Sequence, residues 1–203
     1  MPAALLDRPA AGLSRLRGFV RGVGEAVAAV REERGILEDV RVLLGELVAR
    51  DDWLPDAYAE ASPEGYRQYL LHCDSRERFS VVSFVWGPGQ STPIHDHRIW
   101  GLVGVLRGAE RVESFRRDPA HGLAPDGSPQ LLNAGEVDSF SPRLGDIHRV
   151  SNAYDDRVSI SIHVYGANIG AVERSVFGED GQRRPFVSGY ANATLPNLWN
   201  PSL

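Results

Sequence analysis

From Leu13 to about Arg50 the apolar residues Leu16, Phe19, Val20, Val23, Val27 and Val30, then Leu37, Val40, Leu43, Leu44 and Leu47, recur at three- and four-residue steps. That period predicts two amphipathic helices. Arg34-Gly35 interrupts the pattern between them, and Asp51-Asp52-Trp53-Leu54-Pro55 closes the second. Past Tyr66 the texture changes. Phe79 to Trp86, Trp100 to Leu106, Ala109 to Phe115, Gly135 to Phe140, Ile147 to Val150 and Val158 to Tyr165 are short runs rich in Val, Ile and aromatics, parted by Gly, Pro, Asn and Asp. Such runs predict strands, and many short strands with regular turns predict a β-sandwich or barrel. Arg117 to Gln130 reads as a long hairpin loop that carries His121, and from Gly178 onward neither period is present. The expected organisation is a helical segment over 1–65 that flanks or lids the barrel, a β-barrel over 66–177 and an irregular tail over 178–203 that wraps it.

Composition narrows the function. The 22 Lys plus Arg stand against 27 Asp plus Glu, a net charge of -5, so no broad basic field is available for nucleic acid or anionic lipid. A single cysteine, Cys73, excludes an internal disulfide and Cys-rich zinc motifs, and fits a reducing compartment. Met1 to Arg17 holds no continuous apolar stretch, and no apolar run approaches the ~20 residues of a membrane span. A soluble cytoplasmic protein is expected, as a monomer or small homo-oligomer that meets neither nucleic acid nor membrane.

The chemistry lies in the histidines. His95 and His97 occur in Pro93-Ile94-His95-Asp96-His97, and His148 in Gly145-Asp146-Ile147-His148. Residues i and i+2 of a strand project to one face, about 6.5 Å apart, so His95 and His97 can address one ion, with a third ligand arriving from elsewhere. Farther on, Ser161-Ile162-His163-Val164-Tyr165 alternates polar and β-branched residues. If Ile162 and Val164 pack outward, Ser161, His163 and Tyr165 line the interior as a possible hydrogen-bonded chain.

Gly89, His95, His97 and Gly108, followed by Gly135, Pro142, Gly145, His148 and Asn152, resemble the two-part signature of the cupin superfamily, whose first motif supplies two His and a Glu and whose second supplies another His inside a small β-barrel. The resemblance implies a mainly β cupin fold, a double-stranded β-helix or jelly-roll barrel, with an α-helical N-terminal extension. The chain departs from the signature at Gly101, which stands where the Glu would fall; Glu110 lies too far along to replace it. Two residues rather than one also separate Pro142 from Gly145. Three neutral imidazoles leave the full charge of a divalent ion uncompensated, which favours anionic ligands at the open positions.

The segments Pro93 to Trp100, Asp146 to Asn152 and Ser161 to Tyr165, in that order, are similar to cysteine dioxygenase and its bacterial relatives. That resemblance implies iron(II) held by His95, His97 and His148, an outer chain of Ser161, His163 and Tyr165, and a small carboxylate-bearing thiol and O2 as reactants. The mammalian type links its Tyr to a Cys; here the matching neighbourhood is Gly101-Leu102, so no cross-link is implied. Members that use cysteine carry an Arg ahead of the metal motif. In Tyr66-Arg67-Gln68-Tyr69-Leu70-Leu71 the match puts Gln68 there, and only one of Arg67 and Gln68 can face inward. Gln68 and the stretch Gly166 to Arg174 resemble the 3-mercaptopropionate dioxygenase type, in which an Arg matching Arg174 holds the carboxylate. Trp100, three residues after His97, is the expected pocket wall. The alternatives are cysteine as substrate, another metal cupin holding Mn, Ni or Zn, and a non-catalytic metal-binding cupin.

Overall fold

Leu16, Phe19, Val20 and Val23 make the buried stripe of α1 (Ala11–Ala28), and Leu37, Val40, Leu44 and Leu47 that of α2 (Glu33–Val48). The computed structural model describes residues 11–29, 32–119, 122–178 and 181–199; His121 lies outside them. α1 ends at Ala28 and α2 begins at Glu33, so Arg34 and Gly35, expected to part the helices, already belong to the first turn of α2; Val30 lies outside the described residues. A glycine costs a helix only about 1 kcal/mol, less than the burial of Leu37 and Val40 behind it returns. Among the described residues no helix is long and apolar enough to cross a membrane.

The strands follow as β1 (Arg67–Cys73), β2 (Ser80–Trp86), β3 (Ile94–His95), β4 (Gly101–Arg107), β5 (Ala109–Asp118), β6 (Gly122–Pro125), β7 (Gln130–Asn133), β8 (Val137–Phe140), β9 (His148–Asn152), β10 (Ser159–Tyr165), β11 (Arg174–Phe177) and β12 (Arg183–Phe186). Among the described residues they build one antiparallel sheet in the order β1-β2-β10-β4-β8 and a second in the order β12-β11-β3-β9-β5-β6, with β7 also on β5. Val82, Phe84, Trp86 and Tyr165 of the first sheet and Val112 and Val150 of the second share one interior cluster. The chain is therefore mainly β, a double-stranded β-helix with helices outside it.

The outer face of the first sheet carries the helices. Val81, Val85, Leu102, Leu106, Ile160, Ile162 and Val164 pack with Leu16, Val23, Val40 and Leu44 in the larger core. Alternation along β2 and β10 thus sends one set of side chains to the helices and the other into the barrel. Gly104 is where α2 presses closest: a Cβ there would lie 2.9 Å from Leu44 Cγ and 3.0 Å from Val48 Cγ1.

Two segments differ from the sequence expectation. Within Arg117 to Gln130, β5 runs on to Asp118 and β6 pairs back against Phe115–Asp118, so the segment is a strand hairpin rather than a loop. The described residues of Phe115–Asp118 and Gly122–Pro125 are half-exposed to exposed, so no apolar alternation marks the pair. The tail likewise contains β12, paired with β11 from Arg174↔Phe186 to Phe177↔Arg183. Pro185 hides it, yet an edge strand tolerates proline because one side of its backbone needs no ladder.

Candidate metal centre

His95 and His148 are direct cross-strand partners between β3 and β9, and His97 follows two residues after His95. The three ring centroids lie 4.7, 4.9 and 4.8 Å from one another. One nitrogen from each ring comes within 4.8 Å of the other two, so the set could hold a metal ion. In two of the rings the second nitrogen is already engaged: His95 Nδ1 lies 3.0 Å from the Pro93 carbonyl and His97 Nδ1 lies 3.3 Å from that of Asp146. Such bonds orient imidazole ligands and leave Nε2 for a cation. Burial lowers all three rings below the ordinary histidine pKa, His95 to about 4, so neutral imidazoles face the centre.

The backbone that presents these rings is held by two carboxylates. Asp96, between the ligands, turns the opposite way and accepts the Ser175 N–H at 2.7 Å, while its own N–H donates to the Ser175 carbonyl at 3.0 Å. Asp146 accepts the N–H groups of His97 at 3.1 Å and Arg98 at 2.9 Å, tying the second histidine segment to the first. Arg98 adopts a left-handed φ of 60° at this junction, where Asp146 engages its N–H. Sequence reading missed both roles; the alternation His-Asp-His does signal that Asp96 faces away.

Beside the cage runs the polar face of β10. Tyr165 oxygen lies 2.9 Å from His163 Nδ1, and His163 Nε2 lies 2.8 Å from Ser161 Oγ. All three residues are buried. Burial holds His163 down at about 3, hence neutral, and pushes the Tyr165 hydroxyl above the ordinary phenol pKa, against an opposing pull from Arg174. The His97 and Tyr165 rings stack at 5.7 Å, and Phe140 packs on His97 at 4.2 Å, so the phenol end of the chain is the end beside the cage. Gly101 is opposite Tyr165 on β4, and the Phe140 ring occupies the space that a side chain there would need.

Gln68 is buried, and its Nε2 donates to Ser188 Oγ at 3.0 Å and to the Gly189 carbonyl at 2.7 Å. Arg67 turns outward to Ser62 and Glu64. Arg174, only 3% exposed, stacks on Phe186 at 4.6 Å and donates from Nη2 to Ser188 Oγ at 2.7 Å. Its Nε is buried and has no hydrogen-bond partner among the described residues. Burial lowers the Arg174 pKa against the opposing pull of Tyr165, Tyr66, Asp96 and Tyr190, but a guanidinium stays charged. A buried cation with an open donor is suited to an anionic group.

Trp100 is half-buried immediately before β4. Its indole lies over Gly166, where a Cβ would come within 2.4 Å of it, and it packs with the helix-side core rather than with Phe140 and the imidazoles. The wall against the cage is Phe140. The tail residues Ser188 and Tyr190 also escaped sequence reading, since a Ser-Gly-Tyr in an aperiodic stretch carries no local signal.

The family profile described as cysteine dioxygenase type I matches residues 38–175, a span that includes the three histidines, the β10 chain, Gln68 and Arg174. Among solved structures, the chain is similar to a protein with a double-stranded β-helix domain from Klebsiella pneumoniae, with 20% identity and a TM-score of 0.44 over 56% of this chain and 87% of that one. It is similar to an RmlC-like cupin from Desulfovibrio desulfuricans, with 20% identity and a TM-score of 0.41 over 53% and 88% of the two chains. A cupin superfamily protein from Desulfitobacterium hafniense gives 14% identity and a TM-score of 0.44 over 59% and 94%. Likeness at that level says nothing of chemistry. The profile match covers well over half of the sequence, and with it this chain belongs to the cysteine dioxygenase type I family.

Proposed function

We propose that the protein is a mononuclear iron(II) thiol dioxygenase of a reducing cytoplasm, converting a small carboxylate-bearing thiol, 3-mercaptopropionate before cysteine, into its sulfinic acid. The observation that carries the reading is a buried guanidinium with an unused Nε, electrostatically coupled to a cage of three neutral imidazoles that contains no carboxylate. His95, His97 and His148 would hold the metal. Iron(II) in such a cage supplies open positions for thiolate and O2 and the electron transfer that places both oxygen atoms on sulfur.

The chain's own residues do the rest. Arg174 takes the substrate carboxylate through a charge-assisted pair, with Ser188 and Phe186 fixing its plane. Gln68, uncharged, leaves that carboxylate to Arg174 and places no second cation where a substrate amine would sit. The Tyr165 hydroxyl, kept protonated by burial, donates a hydrogen bond toward the reacting sulfur, oriented by His163 and Ser161. Phe140 and the aromatic floor of Phe84 and Trp86 keep water from the cavity.

The test is sulfinate formation by iron-loaded protein from 3-mercaptopropionate, cysteine and cysteamine side by side. The expected order is 3-mercaptopropionate first, cysteine next and cysteamine, which lacks a carboxylate, far below. Cysteine ahead of 3-mercaptopropionate would move the substrate assignment; no sulfinate from any of them would remove the enzymatic one.

A further inference from the structure

Glu110 is fully buried, and neither of its carboxyl oxygens has a hydrogen-bond partner among the described residues. It sits one residue past the start of β5, where Arg111 is exposed while Glu110 and Val112 are buried. The polar groups against it are the Ser161 hydroxyl and the Trp86 indole N–H, which itself reaches Ser161 Oγ at 3.3 Å. Glu110 therefore meets the closed end of the chain whose open end is Tyr165.

No cation faces it among the described residues. From β10 come Ser161 and His163, the latter neutral; from β2, Trp86; from β9, its ladder partner Asn152, whose amide is spent on the carbonyls of Trp86, Gly87 and Arg157. Its partner on β7 is Leu132. The other titratable group that senses its charge is Tyr165. An ionised carboxylate without a counter-charge is costly in such a place, and burial pushes Glu110 up to about 7.

We infer that Glu110, as a neutral carboxylic acid, is a positioning residue that sets the direction of the Ser161–His163–Tyr165 hydrogen bonds so that the Tyr165 hydroxyl donates into the metal cavity. This rests on the role given above to Tyr165. A hydroxyl and a neutral imidazole each pass on the sense of the bond they receive. When the Glu110 O–H donates to Ser161, Ser161 donates to His163 Nε2, Nδ1–H donates to the Tyr165 oxygen, and the phenol proton is free for the cavity. When Glu110 is ionised, Ser161 donates to it, His163 carries its proton on Nε2, and Tyr165 spends its proton on Nδ1. The charge state at one end decides which way the other end donates.

Glu110→Gln separates these cases, because the amide keeps the shape, donates to Ser161 and cannot ionise. Side-chain 15N NMR of His163 in metal-free protein should show the Nδ1–H tautomer at about pH 6 in both proteins, turning to Nε2–H by about pH 8 in the wild type only. Turnover by the iron-loaded variant should stay within about twofold of wild type at about pH 6 and lack the alkaline decline through about pH 7 to 8. Glu110→Leu, with no donor, should lose about tenfold or more at every pH. A wild-type His163 tautomer that does not change with pH, or a variant with an unaltered pH profile, would overturn the inference. The wild-type titration carries the test alone if a variant does not fold. Expected tautomers without thiol oxidation would leave the inference standing and sink the dioxygenase reading; the converse would sink the inference alone.

Discussion

Arg174 and Gln68 share one acceptor, the hydroxyl of Ser188, at 2.7 and 3.0 Å. One residue of the C-terminal tail thus fixes both the guanidinium that takes the substrate carboxylate in the proposed reaction and the neutral amide of Gln68. Arg174→Ala should raise KM for 3-mercaptopropionate by about 2 to 4 kcal/mol in binding terms, with a smaller effect on kcat. Ser188→Ala should cost about 1 kcal/mol, a rise in KM of roughly fivefold. Steady-state kinetics with cysteamine as control check both, since a thiol without a carboxylate should be indifferent to either change.

Metal capture and turnover should separate cleanly. His148→Ala removes one of three ligands and should lose most bound iron, measured by elemental analysis of untagged protein. Tyr165→Phe keeps the cage and the ring packing on His97, so iron content should hold while turnover falls about a hundredfold. Normal activity in both variants would contradict the assignment of the site.

Glu110 also gives a stability prediction with a definite sign. Its folded pKa, about 7, lies above the ordinary 4.5, so the folded state holds the proton more tightly. The stabilisation is complete below about 4.5 and is lost as pH rises toward 7, at about 1.4 kcal/mol per pH unit. Glu110→Gln should therefore melt higher than wild type at about pH 8 and match it or fall below at about pH 4 to 5. The buried histidines act in the opposite sense, losing stability as pH falls below 6.5. They are common to both proteins, so the difference in Tm isolates the carboxyl group.

Gly101→Ala tests the packing behind the cage. The added Cβ would meet Phe140 Cζ at 2.4 Å and Tyr165 Cδ1 at 3.2 Å. Phe140 must shift, and it is the ring that backs His97. A loss of about 1 to 3 kcal/mol in chemical denaturation is expected, together with weaker metal retention.

The sequence carries the β10 chain plainly because its two faces differ in kind: Ile160, Ile162 and Val164 meet the helices while Ser161, His163 and Tyr165 turn inward. The same period-two logic leaves only one of Arg67 and Gln68 facing inward. What it cannot carry is which strand lies opposite. The pairing of His95 with His148 joins segments far apart in the chain, and nothing local in either specifies the partner. Glu110 reads as an ordinary surface acid, since a lone carboxylate in a strand gives no sign that its face is closed. For Trp100, nearness to His97 in sequence does not disclose the space over Gly166 that its ring fills. Ser188 follows β12 in an irregular stretch, where no period marks a side chain that reaches Gln68 and Arg174.

The most direct measurement of the central claim is the fate of labelled oxygen. Iron-loaded protein given 3-mercaptopropionate under 18O2 should return a sulfinate in which both oxygen atoms carry the label, with no label drawn from water. Sulfinate containing solvent oxygen, or O2 uptake without any sulfinate, would contradict the account.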